Sequence, residues 1–245
     1  MNHKRAWIEK RLAVCQERFE RASHDAEACR NLALALVDAG RPEEAEELLR
    51  GLLASAPDDA ASWGVLAYAL RERPGARSER EGALRRALAL DPDYAWAVRE
   101  LSAQLESAGR LAEAEALLRE NLAGQPEDGE SLLALGLLMR RRGRFDEETR
   151  LLRRALKARP LLSAAARALA AGQAAEGDLD GAVALLRRQL AEDPLDPANL
   201  LELGRLLGLK GDRTEAEALI RQAYDHDPFS PATVCGLAWF LCGAG

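Results

Sequence analysis

Two residue types punctuate this chain at one fixed interval. Glycines stand at Gly40, Gly75, Gly109, Gly143, Gly177, Gly211 and Gly245, and prolines at Pro57, Pro92, Pro126, Pro160, Pro194 and Pro228; each step is 34 residues, with a single 35 in either series. A chain that restates itself on such a period stacks copies of one supersecondary unit instead of wrapping a single core. The glycine supplies the positive φ that ends one helix. The proline ends the next, because the residue before it is pushed out of helical geometry. Each period therefore reads as two amphipathic helices that bury their apolar faces only by stacking.

The columns between these marks agree. Eight residues before the glycine stand Leu32, Leu101, Leu135, Leu169, Leu203 and Leu237, with Leu66 in that place once the inserted residue is allowed for. The next column is small throughout (Ala33, Ala67, Ser102, Gly136, Ala170, Gly204, Ala238), as a close approach of two helices requires. Nine residues after the glycine come Leu49, Leu84, Leu118, Leu152, Leu186 and Ile220; five after it come Ala45, Ala114, Ala182 and Ala216, with Arg80 and Glu148 breaking the rule. These residues predict an N-terminal helix over 1–25 that caps the array and six units at 26–59, 60–94, 95–128, 129–162, 163–196 and 197–230. The first helix of an incomplete seventh unit follows at 231–245.

The combination of a Leu-small pair, a turn glycine, Ala, an apolar residue and a closing proline resembles the tetratricopeptide repeat family over about residues 26–245. The early tryptophan of that pattern survives only at Trp63, with Cys29, Val98, Leu132, Ala166, Leu200 and Val234 in its place. The resemblance implies an all-α, right-handed superhelical solenoid of helix-turn-helix repeats. First helices would line its concave side, where a protein or peptide partner binds.

Composition narrows the function. With 30% charged and 4% aromatic residues and a net charge of -6, the chain is a helix former without a membrane span and without the basic footprint of a nucleic-acid binder. Positive charge is almost all arginine, the residue suited to bidentate pairing with carboxylates. The charged N-terminal stretch interrupts any secretory signal, which gives a cytoplasmic expectation. Cys15, Cys29, Cys235 and Cys242 form no CxxC pair and read as small buried thiols without a metal role.

The histidines offer no catalytic set. His24 and His226 each precede an aspartate at a junction between units, with no nucleophile motif, phosphate loop or zinc spacing near them. The chain is therefore expected to be no enzyme and to need no cofactor. Glu43, Glu44, Glu46 and Glu47 open a second helix, where negative charge favours the dipole, and read as a solvated face.

The first-helix stripe left over after stacking is the candidate site. Residues thirteen, ten, six and three before each glycine share one helical side and place Arg30, Trp96, Arg99, Arg140, Arg167, Arg205 and Trp239 there, with Tyr68 and Arg71 in the shifted second unit. Arginines interleaved with rings suit a peptide or protein bearing carboxylates and apolar anchors. The lysine and asparagine clamp of family members that hold chaperone tails is matched only at Asn31, so that specialisation is not expected. The last helix carries Leu237, Trp239, Phe240 and Leu241 without a second helix to cover it, so either the natural chain continues past Gly245, or another chain covers this surface, as self-association would, or Phe240 folds back on the sixth unit. The leading expectation is a protein-binding scaffold or adaptor. The alternative is the substrate-recognition arm of a larger enzyme such as a protein glycosyltransferase, its catalytic part beyond residue 245.

Overall fold

The computed structural model describes residues 2–242 and is all helical, with no strand among the described residues. After α1 (Asn2–Arg21) the helices follow in pairs: α2 (Ala26–Asp38) and α3 (Pro42–Ser55), α4 (Ala60–Ala69) and α5 (Arg77–Leu90), α6 (Ala95–Ser107) and α7 (Leu111–Gly124). Then come α8 (Gly129–Arg141) and α9 (Phe145–Ala158), α10 (Ser163–Ala175) and α11 (Leu179–Glu192), α12 (Pro197–Lys210) and α13 (Arg213–His226), and finally α14 (Pro231–Cys242). The chain divides into two compact units, Met1–Gln125 with α1 to α7 and Pro126–Gly245 with α8 to α14. Within each unit every helix packs on the next, so each is an all-α stack of helix-turn-helix pairs.

The punctuation acts as its chemistry requires. Gly40, Gly75, Gly109, Gly143, Gly177 and Gly211 all take φ between 72° and 94°, a region closed to bulkier side chains without strain. Gly245 lies outside the described residues. Ahead of each proline, Ala56, Asp91, Gln125, Arg159, Asp193 and Asp227 have φ between -125° and -137° and positive ψ, so each second helix stops there. At the other end, Asp25, Asp59, Asp128 and Asp196 cap first helices by accepting a backbone N–H two residues on. The inserted residue of the second pair is absorbed between α4 and α5, where a 3-10 turn, Leu70–Glu72, replaces the end of the first helix.

The uniform columns form the core. Leu49, Leu84, Leu118, Leu152 and Leu186 are at most 1% exposed, each contributing about 1.5–3 kcal/mol of burial. This column faces the small one closely: a Cβ on Gly136 would lie 3.2 Å from Leu152 Cδ2, and one on Gly204 2.7 Å from Ile220 Cγ1.

The two exceptions in the alanine column form ion pairs, half-buried at Arg80 and with a buried carboxylate at Glu148. Arg80 donates to Ala67 O at 3.2 Å and to Gln104 at 3.1 Å, and also pairs with Glu100. Glu148, with only 4% of its side chain exposed, meets Arg140 at 2.6 Å. Three sequence expectations need correction. Glu46 is buried and pairs with Arg50 and Arg73, so it is not part of a solvated face. Cys235 and Cys242 are exposed thiols on α14, where no helix covers them among the described residues. Phe240 is buried with Leu203, Leu206 and Leu207, so it does fold back and is not available on the surface.

Candidate functional site

The first unit gathers rings and arginines between α4 and α6. Trp96 and Arg99 lie three residues apart on one side of α6, both half-buried. Tyr68 of α4 approaches Trp96 edge-on, with centroids 6.5 Å apart and planes at 67°. A third ring, Tyr94, stands just before α6 and meets Trp96 at 5.8 Å, tilted by 37°. Tyr94 can sit there because Gly64 has no side chain; a Cβ on Gly64 would come within 2.7 Å of its ring and hydroxyl. Burial pushes the Tyr94 hydroxyl pKa up, an effect the nearby Arg30 opposes.

Charges around these rings are tied down unequally. Arg30 pairs with Asp59, whose Oδ2 also accepts the Ser62 hydroxyl at 2.5 Å. Burial alone would raise the Asp59 pKa, yet the Ser62 hydrogen bond and Arg30 hold it below the usual aspartate range. Arg71 lies 5.4 Å above the Tyr68 ring and donates to Glu100 at 3.2 Å, a carboxylate it shares with Arg80. Arg99 makes no side-chain hydrogen bond or ion pair among the described residues.

The second unit carries the other four sequence candidates. Arg140 donates to Ala168 O at 2.6 Å besides pairing with Glu148. Burial raises the Glu148 pKa against the opposing field of Arg140. Arg167 reaches Asn199 Oδ1 at 3.3 Å and Asp196 at 3.7 Å. Arg205 is held by Glu202 through contacts of 2.6 and 3.0 Å, which raise its pKa. A concavity of about 540 Å³ brings Arg167, Arg205 and Trp239 together, walled by Ala198, Leu201, Ala232 and Cys235. Trp239 is 65% exposed at its edge. Arg140 does not line this concavity; it is spent on Glu148 and a carbonyl.

The arrangement offers rings, apolar walls and guanidinium groups, the means of holding a partner. Among the described residues no three His, Cys, Asp or Glu side chains are placed to hold a metal ion, and no helix is long and apolar enough to cross a membrane. Sequence reasoning missed Tyr94, and a signal for it existed. Gly64 occupies the stripe position where Arg30, Arg99 and Arg167 stand, and the gap it leaves is what the ring fills.

Helix pairs closed by positive-φ glycines, with half-exposed stripes on their first helices, define an all-α repeat protein. Tetratricopeptide repeat profiles match residues 9–68 and 173–232 and, separately, 99–163, so the chain belongs to the tetratricopeptide repeat family. No curated protein matches it. Among solved structures it is similar to yeast Tom70, at TM-score 0.74 and 20% identity over 98% of this chain and 52% of that one. PilW, described as a widely conserved type IV pilus biogenesis factor, matches at TM-score 0.69 and 22% identity over 86% of this chain and 97% of its own. A chain of the APC/C hetero-tetramer Cut9–Hcn1 matches at TM-score 0.71 and 15% identity, covering 96% of this chain. This chain spans about half the length of the Tom70 and Cut9–Hcn1 chains, with 52% and 46% of them covered. At these identities the likeness concerns the fold.

Proposed function

We propose that the protein is a non-catalytic scaffold that binds a protein or peptide partner on the half-exposed faces of its first helices, with Arg30, Tyr68, Arg71, Trp96, Arg99, Arg140, Arg167, Arg205 and Trp239 as the contact set. The observation that carries this reading is the concavity of about 540 Å³ in the second unit. It combines an exposed tryptophan and apolar walls with two arginines, Arg205 being paired with Glu202 in the same lining, and tryptophan and arginine are residue types that dominate binding energy when a partner desolvates them. Family membership supports the coarse reading, since stacked repeats present continuous binding surfaces. The members of the set differ in role. Arg99 makes no side-chain pair among the described residues and Trp239 is 65% exposed, whereas Arg140 offers a contact with its exposed third while it ties α8 to α9 and α10.

Val234, Trp239 and Leu241 of α14 are 43%, 65% and 50% exposed, and through them we infer self-association. Phe240 serves as their internal support. A cytoplasmic site of action is part of this proposal.

The test is affinity capture from lysate of the source cell with the wild type, Arg167→Glu and Trp239→Ala, each first shown to be folded by circular dichroism. A partner held by the wild type and lost from both variants supports the scaffold reading. Equal capture by all three removes the concavity from it.

A further inference from the structure

We infer that the solvent face of α9 docks an acidic helix of a partner protein. The face lies on a second helix, apart from the first-helix stripe, and uses none of the contact set proposed above.

The repeat serves as its own control. Ten residues after the turn glycine every helix pair carries an arginine: Arg50, Arg85, Arg119, Arg153, Arg187 and Arg221. Five of them are rungs of an internal ladder. Arg50, Arg85, Arg119 and Arg221 meet the glutamate four residues earlier, at Glu46, Glu81, Glu115 and Glu217. Arg50, Arg85 and Arg187 reach a glutamate at the start of the next second helix, at Glu79, Glu113 and Glu215. Arg153 has lost both acids. Thr149 stands four residues before it, and Gly181 stands 28 residues after it, the step that leads from Arg85 to Glu113 and from Arg187 to Glu215. Among the described residues Arg153 makes no side-chain hydrogen bond or ion pair.

Two more columns change at the same place. Seven residues after the glycine the other pairs carry Glu47, Gly82, Ala116, Ala184 and Ala218, and fourteen after it Ala54, Ala89, Ala123, Ala191 and Asp225; α9 carries Arg150 and Lys157 there. With Arg154, these cations stand at spacings of three, four and seven on one side of α9, over about 10 Å at ~1.5 Å of rise per residue. All four are exposed. Arg150 and Arg154 donate only to carbonyls, of Asp146 at 3.2 Å and Pro126 at 2.9 Å, and Lys157 has no partner among the described residues. Nearby acids are engaged elsewhere: Glu147 with Arg144, Glu148 with Arg140, Asp180 with Lys210, and Asp178 with the Gly181 N–H and Gln173. Asp146, in the first turn, is left to face four cations.

Four aligned positive charges on a chain of net charge -6 call for an acidic partner. A helix fits them, because carboxylates at the same three-, four- and seven-residue spacings share the pitch of α9 and meet the cations in register. An anionic lipid surface would also meet the exposed Glu192, Asp193, Asp225 and Asp227 on α11, α13 and the turns that follow them. Nucleic acid would find no ring to stack on along α9 and α11 beyond Phe145 at the N-terminal end.

The experiment is fluorescence anisotropy of the intact chain at low salt with a labelled alanine-based helical peptide carrying Glu at positions i, i+3, i+4 and i+7, against the same peptide with Gln for Glu. Saturable binding of the glutamate peptide alone is expected, and it should weaken as salt is added. The double variant Arg150→Ala, Lys157→Ala takes the alanines of other pairs, so it should fold normally and bind about tenfold more weakly. Thr149→Glu restores the missing rung, and should weaken binding about threefold or more without lowering the melting temperature. Trp239→Ala should bind like the wild type. The inference is overturned by absence of binding, by equal binding of the glutamine peptide, by unchanged affinity in both α9 variants, by loss of binding in Trp239→Ala, or by tighter binding of oligouridylate or of vesicles of equal phosphatidylcholine and phosphatidylserine. Its failure leaves Trp239-dependent capture untouched, since the two faces share no residue.

Discussion

Arginine does two kinds of work in this protein, and single substitutions separate them. Glu148 sits where four other helix pairs carry Ala45, Ala114, Ala182 and Ala216, and only 4% of its side chain is exposed. Removing one member of a buried pair costs about 3–5 kcal/mol, but Arg140 is 35% exposed, so Arg140→Ala is expected to cost roughly 2 kcal/mol. Adding Glu148→Ala restores the alanine of the column and should recover most of that loss in chemical denaturation. A double variant no more stable than Arg140→Ala would show that the pair does not explain Glu148. Asp59 gives a pH test. Its folded pKa is depressed, so the stability it contributes is present above the ordinary aspartate range, near 4, and is lost as the pH falls through the folded value. Asn keeps an acceptor for the cap, so Asp59→Asn should flatten the loss of melting temperature in that acid window while leaving α4 capped. An acid profile identical to wild type would remove Asp59 from the acid response.

At the scale of the element, what the sequence reveals depends on how local the cause is. A positive φ after a helix and an extended residue before a proline are local demands, so the turn glycines and helix ends were legible directly. The arginine stripe was legible as a face, but the acids that engage three of its members come from the following helix pair, while Arg140 and Arg205 find theirs within their own. Arg30 with Asp59, Arg71 with Glu100 and Arg167 with Asp196 each span 29 residues, one period less five, so the repeat itself contains the register once packing is known. Packing also explains a departure in the small column. Gly204 faces the β-branched Ile220, where a Cβ would lie 2.7 Å from Ile220 Cγ1 and 3.1 Å from the Ala216 carbonyl, whereas a Cβ on Gly136, which faces Leu152, would come no nearer than 3.2 Å. Gly204→Ala should therefore destabilise by about 1–3 kcal/mol through overpacking, and Ile220→Leu should relieve part of it. Urea unfolding checks this; an unchanged midpoint for Gly204→Ala would mean that α12 and α13 separate without cost.

For the whole molecule, exposed apolar side chains occur along both units, and α14 carries three of them on one helix. Charged residues make up 30% of the chain, yet Val234, Trp239 and Leu241 line one helix at 43%, 65% and 50% exposure. Apolar side chains left exposed in this way favour association. Trp239 also borders the concavity with Arg167 and Arg205, so association through α14 and occupation of the concavity compete for one side chain. Linkage then requires that each weaken the other by the same factor. The weight-average mass in sedimentation equilibrium should rise with protein concentration. Trp239→Glu should hold it at the 26.7 kDa monomer, and partner affinity measured at low protein concentration should exceed that measured at high concentration. A monomeric mass across the whole range overturns the association. A rising mass with concentration-independent partner affinity would leave association standing and place the partner away from Trp239, on the arginine and aromatic face of the first unit.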